Sequence, residues 1–505
     1  MAVAKILTRA GEGITAPQVR VEVHLANGLP AFHLVGMAET SVKEARERVR
    51  SALINSGFEF PARRITVNLA PATIPKYGGR YDLPIALGIL AATQVINPAS
   101  LQQAEFVGEL GLTGDMRAVR GLIPVALAAR AQKRALYFPQ GNRAELDLVD
   151  RATHYAAGSL VDIVNHLNGV SPLTSECSDI SSPPSEVLPK WDDIIGQSMP
   201  KRALTIAAAG SHHLLFVGPP GTGKSLLASR LIDLLPPLST EEALEVAALY
   251  SLKGQAPDLQ HMYRRPFRSP HHTSSAVALT GGGTIPTPGE ISLAHKGVLF
   301  LDELPEFGRK TLDVLREPLE TGSIHIARVN AQAQFPAQFQ LIAALNPSPT
   351  GEVEDGRSTP QQVQRYLSRL SGPLLDRMDL QVEVLRLGEY PIATAKPEGE
   401  KDSALRARQA IELARTIQLN RQAKLNHLLC PQELADVCRL SDADLRFLQQ
   451  AAERLKLSMR AFHRTLKVAR TIADLEQSIA VGRVHLSEAL SYRALDTLVR
   501  QLSSN

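Results

Sequence analysis

Apolar and polar positions alternate from Gln18 to Leu25, the signature of a half-buried strand. Asn27-Gly28 then marks a hairpin turn, and Ala31–Val35 predicts the returning strand. The period changes over Thr40–Ser56, where Val42, Ala45, Val49 and Leu53 recur on one face of a predicted helix that Gly57 stops. Arg64–Leu69 alternates again as a strand, and Leu83–Ala92 has the continuous apolar character of a buried helix. The first unit is therefore predicted to be an α+β domain.

Periodicity stops at Ser171–Pro189, SPLTSECSDISSPPSEVLP, whose Ser and Pro content predicts an extended, solvated linker. A second break, Glu389–Ser403, precedes a stretch that is helical in pattern to the end. These breaks divide the chain into residues 1–170, a linker at 171–189, a unit at 190–390 and a helical unit at 391–505.

A length of 505 residues agrees with about three domains of roughly 150 residues each. Apolar residues at 44% beside 21% charged ones exclude a mostly disordered chain. The net charge of +4 names no polyanionic partner, but residues 401–505 hold 17 basic and 11 acidic residues, so the excess is C-terminal. A solvated helical surface and a nucleic-acid-facing surface fit that count equally. The N-terminus lacks an apolar run of signal-peptide length, and Leu83–Ile96, interrupted by Gln94, falls short of a bilayer span. With Cys177, Cys430 and Cys438 forming no CxxC pair, a soluble protein of the reducing cytoplasm is expected, without membrane contact, disulfide framework or cysteine zinc site.

The apolar run Leu214–Val217 feeds GPPGTGKS, which comprises Gly218, Pro219, Pro220, Gly221, Thr222, Gly223, Lys224 and Ser225, and a helical pattern follows. A strand, a glycine-rich loop and a helix in that order form a P-loop. Its backbone N–H groups close around phosphate oxygens of ATP, Lys224 reaches the β- and γ-phosphates, and the Ser225 hydroxyl ligates Mg2+. A second strand, Val298–Leu301, ends in Asp302-Glu303. Asp302 is placed to hold Mg2+ and Glu303 to polarise the attacking water. A third, Phe339–Leu345, ends at Asn346, whose amide suits orientation of that water, and the order of the three strands resembles AAA+ ATPases. Downstream, an arginine near a helix end can stabilise γ-phosphate charge on a neighbouring subunit; Arg377 is the first choice and Arg369 the second. The adjacent His271-His272 has no third ligand at metal-site spacing and reads as a structural or hydrogen-bonding pair.

The segments FRSPHHTSSAVALTGGG, PTPGEISLAHKGVLFLDELPEF, LNPSP, RYLSRLSGPLLDRMDL and SMRAFHRTLKVARTIADLE, taken in this order, resemble the magnesium-chelatase-like AAA+ proteins of the YifB/ComM family. With the N-terminal unit, the resemblance covers nearly the whole chain. It implies a multidomain α/β protein: a Lon-protease-like α+β N-terminal domain, a P-loop AAA+ domain of the helix-2-insert class, and a C-terminal helical lid. It implies a homo-hexameric, ATP-driven DNA helicase that promotes branch migration in homologous recombination during natural transformation. Its partners would be single-stranded and branched DNA and recombination proteins. In the lid, Arg460 matches the sensor-2 arginine, with Arg464 one turn later as the alternative. The 78 residues from Lys224 to Asp302 leave room for an insertion, a hairpin at Ala276–Ile291 interrupting a helix. A second hairpin lies around Ile324–Gln334 with Arg328 and Asn330, and Lys296 and Arg328 are the candidate DNA-backbone contacts.

Ala70–Ala92 resembles the Lon-protease domain, yet its serine position falls on Arg80 and its lysine position on Ile123. A nucleophile needs a base within reach, so that domain is expected to be proteolytically inactive. Two departures from the relatives weigh on function. The loop after Asn346 lacks the cysteines many members carry, and the absence of an integrin-like domain weighs against the alternative of a chelatase-like ATPase that remodels a protein partner.

Overall fold

The computed structural model describes residues 3–11, 13–36, 44–175, 194, 196–255, 259, 261–328, 331–351, 358–386 and 403–493. Val42, Cys177, Asn330, most of the linker and most of the second break lie outside the described residues.

The N-terminal part is built from β1 (Ala4–Arg9), β2 (Gln18–Ala26), β3 (Ala31–Val35), α1 (Ala45–Asn55), β4 (Arg64–Ala70), α2 (Asp82–Ala92), β5 (Ala104–Phe106), the short pair β6 (Glu109–Leu110) and β7 (Met116–Arg117), α3 (Leu122–Ala131), β8 (Ala135–Pro139) and β9 (His154–Ala157). Seven strands form one mixed sheet in the order β3-β4-β2-β1-β5-β8-β9. The expected hairpin at Asn27-Gly28 is corrected here: β3 does reverse direction, but β4 lies between it and β2. The cleanly alternating β4, with Ile65, Val67 and Leu69 buried, makes a better interior strand than the largely exposed β3, which takes the edge. Residues 82–91 of α2 are all buried. Gly88 lets α2 lie directly on β2, since a Cβ there would stand 2.5 Å from Val23 Cγ2. Asp82 is anchored under this helix by Arg48, whose Nε and Nη2 donate to its carboxylate at 2.7 and 3.0 Å.

The second part contains α4 (Ser198–Gly210), β10 (Leu214–Val217), α5 (Lys224–Leu234), α6 (Thr240–Lys253), β11 (Phe267–Arg268), α7 (Ala276–Thr280), β12 (Gly281–Gly282), β13 (Thr287–Pro288), α8 (Glu290–Leu293), β14 (Val298–Leu301), β15 (Ser323–Arg328), β16 (Ala331–Pro336), β17 (Gln340–Leu345) and β18 (Leu380–Glu383). Five of these strands make a parallel sheet in the order β11-β14-β17-β10-β18. β10, β14 and β17 are buried along their whole length because helices cover both faces, which is why they are apolar runs and not alternating ones. Two antiparallel pairs, β12 with β13 and β15 with β16, stand apart from this sheet. They are the two hairpins expected between the motifs.

The C-terminal part is helical, including α9 (Ser403–Gln422) and α10 (Met459–Leu475), and it shares one apolar core with α4, α5 and one face of the parallel sheet. Ser458 caps α10 by accepting the Ala461 N–H at 3.2 Å. The N-terminal domain packs on the second part through α3 and α6, where Ile123 and Val125 share a core with Leu244 and Val246. Polar ties seal that contact: Gly121 N donates to Ser251 O at 3.0 Å, and Ser251 Oγ to Glu145.

Candidate active site

Register in the parallel sheet assembles the site. Val217 of β10 pairs with Leu345 of β17, and Leu301 of β14 pairs with Ala343 of β17. Gly218, Asp302 and Asn346 therefore emerge side by side at the carboxyl ends of three adjacent strands, where open α/β sheets bind their ligands.

The loop from Gly218 to Gly223 turns into α5 through two left-handed glycines, Gly221 (φ 78°) and Gly223 (φ 86°). Gly218 is needed for a different reason: a Cβ there would lie 2.3 Å from Val384 O. Lys224 is 7% exposed, and its Nζ donates to Gly218 O and Pro219 O at 2.7 Å and to Asn346 Oδ1 at 3.1 Å. Burial lowers its pKa, against the pull of Asp302 and Glu303. Ser225 Oγ donates to Asp302 Oδ2 at 2.6 Å, so a hydroxyl and a carboxylate face one another at the start of the helix. That oxygen pair suits Mg2+, and the glycine-lined loop above it suits a polyphosphate.

Glu303 follows in a left-handed backbone conformation (φ 50°), and its N–H donates to Asp302 Oδ1 at 2.9 Å. Its carboxylate Oε2 stands 3.1 Å from His272 Nδ1. The His271 and His272 ring centroids lie 4.1 Å apart with the rings tilted by 35°, while His271 Nδ1 bonds Thr273 Oγ1 at 2.8 Å. The two histidines thus do not diverge, and one of them serves the acid pair. The sequence carried the hydrogen-bonding reading but not the partner. Its signal was positional: His272 follows β11, the parallel neighbour of β14, so it returns beside the tip of that strand.

The arginines sort by exposure. Arg377 is 7% exposed, with Nη1 donating to Pro373 O at 2.5 Å and Nη2 to Glu320 within its own chain. The side chain of Arg369 is 53% exposed and pairs with Glu306 at 3.2 Å. On α10, Arg460 is exposed in the first turn, whereas Arg464 donates to Asp379 Oδ1 at 2.6 Å and to Arg377 O. Lys296 Nζ donates to Gln338 Oε1 at 2.9 Å and lies 3.6 Å from Glu242. Its positive φ and these ties hold it at the base of the second hairpin. Arg328 ends β15 beside residues 329 and 330, and its side chain lies outside the described set.

In the N-terminal domain, Arg80 donates through Nη2 to Arg120 O at 2.5 Å, and Ile123 is fully buried in α3. Neither position offers a nucleophile or a base.

Three segments of the chain match magnesium chelatase family descriptions: residues 190–390 match magnesium chelatase, subunit ChlI; residues 21–142 match subunit ChlI of Mg-chelatase; and residues 401–493 match its ChlI C-terminal region. The chain is 52% identical to competence protein ComM of Haemophilus influenzae across 100% of both chains. The chain belongs to the YifB/ComM family of magnesium-chelatase-like AAA+ proteins. A second member of this family, YifB of Salmonella typhimurium, is 50% identical over 99% of each chain. The 38 kDa magnesium-chelatase subunit of Cereibacter sphaeroides is 26% identical and matches 59% of this chain. Membership of the YifB/ComM family makes this an AAA+ ATPase by relation, with a helical region after the ATPase domain. Among the described residues, no helix is long and apolar enough to cross a membrane.

Proposed function

We propose that this protein is a homo-hexameric, ATP-driven DNA translocase that moves branched junctions during recombination of incoming DNA. The observation that carries the reading is the union, in one domain, of a P-loop facing an acidic strand end with two β-hairpins outside the parallel sheet. The full-length relationship to a protein named for competence supplies the biological setting.

In this reading, Gly218–Ser225 hold ATP, Ser225 and Asp302 hold Mg2+, and Glu303 withdraws the proton of the attacking water while Asn346 orients it. Arg369, exposed where Arg377 is committed, reaches the γ-phosphate across the subunit boundary, and Arg460 reports nucleotide state to the lid. Sharing each site between two subunits closes the ring. The hairpins, with Arg328 beside one tip, contact the phosphate backbone, so binding is independent of sequence and weakens with salt. Residues 1–170 form a Lon-like scaffold without peptidase activity, joined by residues 171–189 to the ATPase unit at 190–390 and the lid at 391–505.

Strand exchange on labelled forked, three-way and four-way DNA tests the proposal. The wild type should resolve junctions only with ATP, and Glu303→Gln should bind them without moving a strand. ATP turnover that no DNA alters, with no strand moved, would sink it in favour of a protein-remodelling ATPase.

A further inference from the structure

The edge of the parallel sheet opposite the P-loop carries a buried polar cluster that hydrolysis does not use. Leu214 of β10 pairs with Leu380 of β18, so the residues before them, His213 and Asp379, stand side by side. They lie roughly 13 Å from the P-loop, one four-residue strand away. His212 is fully buried beside them, and His427 arrives from the lid with its side chain 19% exposed. Ligand atoms of His212, Asp379 and His427 all fall within 4.8 Å of one another.

The His212 ring is held by a hydrogen bond on one side only. The Thr471 hydroxyl donates to Lys467 O at 3.0 Å, and its oxygen accepts from Asn426 Nδ2 at 3.0 Å. That oxygen also lies 2.7 Å from His212 Nε2, so Nε2 is engaged by Thr471 and Nδ1 is the ring nitrogen that faces the cluster. Nδ1 is buried without a hydrogen-bond partner, 3.4 Å from Asp379 Oδ2. Oδ2 accepts His213 N–H at 3.1 Å and stands 3.1 Å from His427 Nδ1.

We propose that His212 Nδ1, Asp379 Oδ2 and His427 Nδ1 form a site for a transition-metal dication of the zinc class, completed by water. The separations of 3.4 and 3.1 Å fit a tetrahedron, whose edge is about 3.3 Å when ligands lie about 2.0 Å from Zn2+. The outer contacts that orient such ligands are in place: Thr471 on His212 Nε2, and Arg464 on Asp379 Oδ1 at 2.6 Å. Lys467 Nζ donates to His427 O at 2.8 Å and so fixes the backbone of that ligand. Two imidazole nitrogens select Zn2+ or Co2+ over the Mg2+ that accompanies ATP, because Mg2+ prefers oxygen ligands. His212 and Asp379 belong to the ATPase core and His427 to the lid, so the ion would staple one to the other.

The test uses full-length protein stripped with a chelator and titrated with Co2+ without nucleotide or Mg2+. The expected result is one equivalent bound, with the visible bands of four-coordinate Co2+ that Zn2+ displaces and excess Mg2+ does not. His427→Ala, altered at the partly exposed ring, should lose the bands while keeping its far-UV circular dichroism. Zn2+ should raise the melting temperature of the wild type and not of this variant. Wild-type protein without four-coordinate bands, thiolate absorption in their place, or bands that persist in His427→Ala would each overturn the assignment. X-ray absorption of the zinc-loaded wild type, which needs no variant, must show two imidazoles; any other ligand set also overturns it.

Discussion

His272 Nδ1 stands 3.1 Å from Glu303 Oε2, so the carboxylate best placed to activate water is drawn toward the segment that leads into the first hairpin. Only three residues separate His272 from α7, which opens directly into β12. A half-exposed pair of this kind is worth roughly 0.5–1 kcal/mol. His272→Ala should therefore raise basal ATP turnover roughly two- to fivefold by freeing Glu303. Steady-state hydrolysis without DNA checks this; unchanged or slower turnover would show that the histidine does not restrain the base.

Glu303→Gln should lower turnover by about 10²–10⁴-fold, the usual contribution of a positioned base, while nucleotide affinity survives. Lys224→Ala should lose both, because its ammonium is the cation aimed into the loop. Fluorescent-nucleotide binding and phosphate release, measured on the same preparations, separate the two effects.

Arg369→Ala and Arg377→Ala should fail differently. The exposed Arg369 should leave the melting temperature unchanged while turnover falls by about 10³-fold or more, as for an arginine supplied in trans. Arg377→Ala removes a buried guanidinium that holds Glu320 and Pro373, and should cost about 1–3 kcal/mol of stability. If Arg369 acts across subunits, mixing Arg369→Ala with Lys224→Ala subunits should restore part of the activity. No recovery in the mixture would place Arg369 within its own site.

His154, at the start of β9, is 5% exposed, and burial lowers its pKa from 6.5 to about 4, with Arg130 adding to the shift. The unfolded chain then binds more protons than the folded one between these values, so stability falls as pH drops from 6.5 toward 4. The loss amounts to at most about 3 kcal/mol. Urea unfolding at several pH values should show a shallower slope in His154→Gln than in the wild type.

The sequence made legible what is local. The P-loop, the acidic strand end and both hairpins depend on short runs whose residue types dictate their own conformation, such as the glycines at 221 and 223. It also suggested a lid helix over Leu457–Glu476, observed as Met459–Leu475, and a buried α2. It missed what long-range pairing decides. β4 enters between β2 and β3 from about thirty residues downstream, and no turn signal records that. The pairing of Lys296 with Glu242 joins two separate elements, since Glu242 lies on α6, and His212 meets Asp379 and His427 only once core and lid have packed.

The core shared by α3 and α6 gives the N-terminal domain a seat that does not depend on the chain running through the linker. Because α6 follows the P-loop helix α5, with Pro236 O accepting from Arg265, any tilt of that helix pair would be passed sideways into a seven-stranded sheet. The packed face is then the joint. Cutting the backbone in the linker should leave two pieces that still travel together, the larger driving the smaller like a cam against a follower.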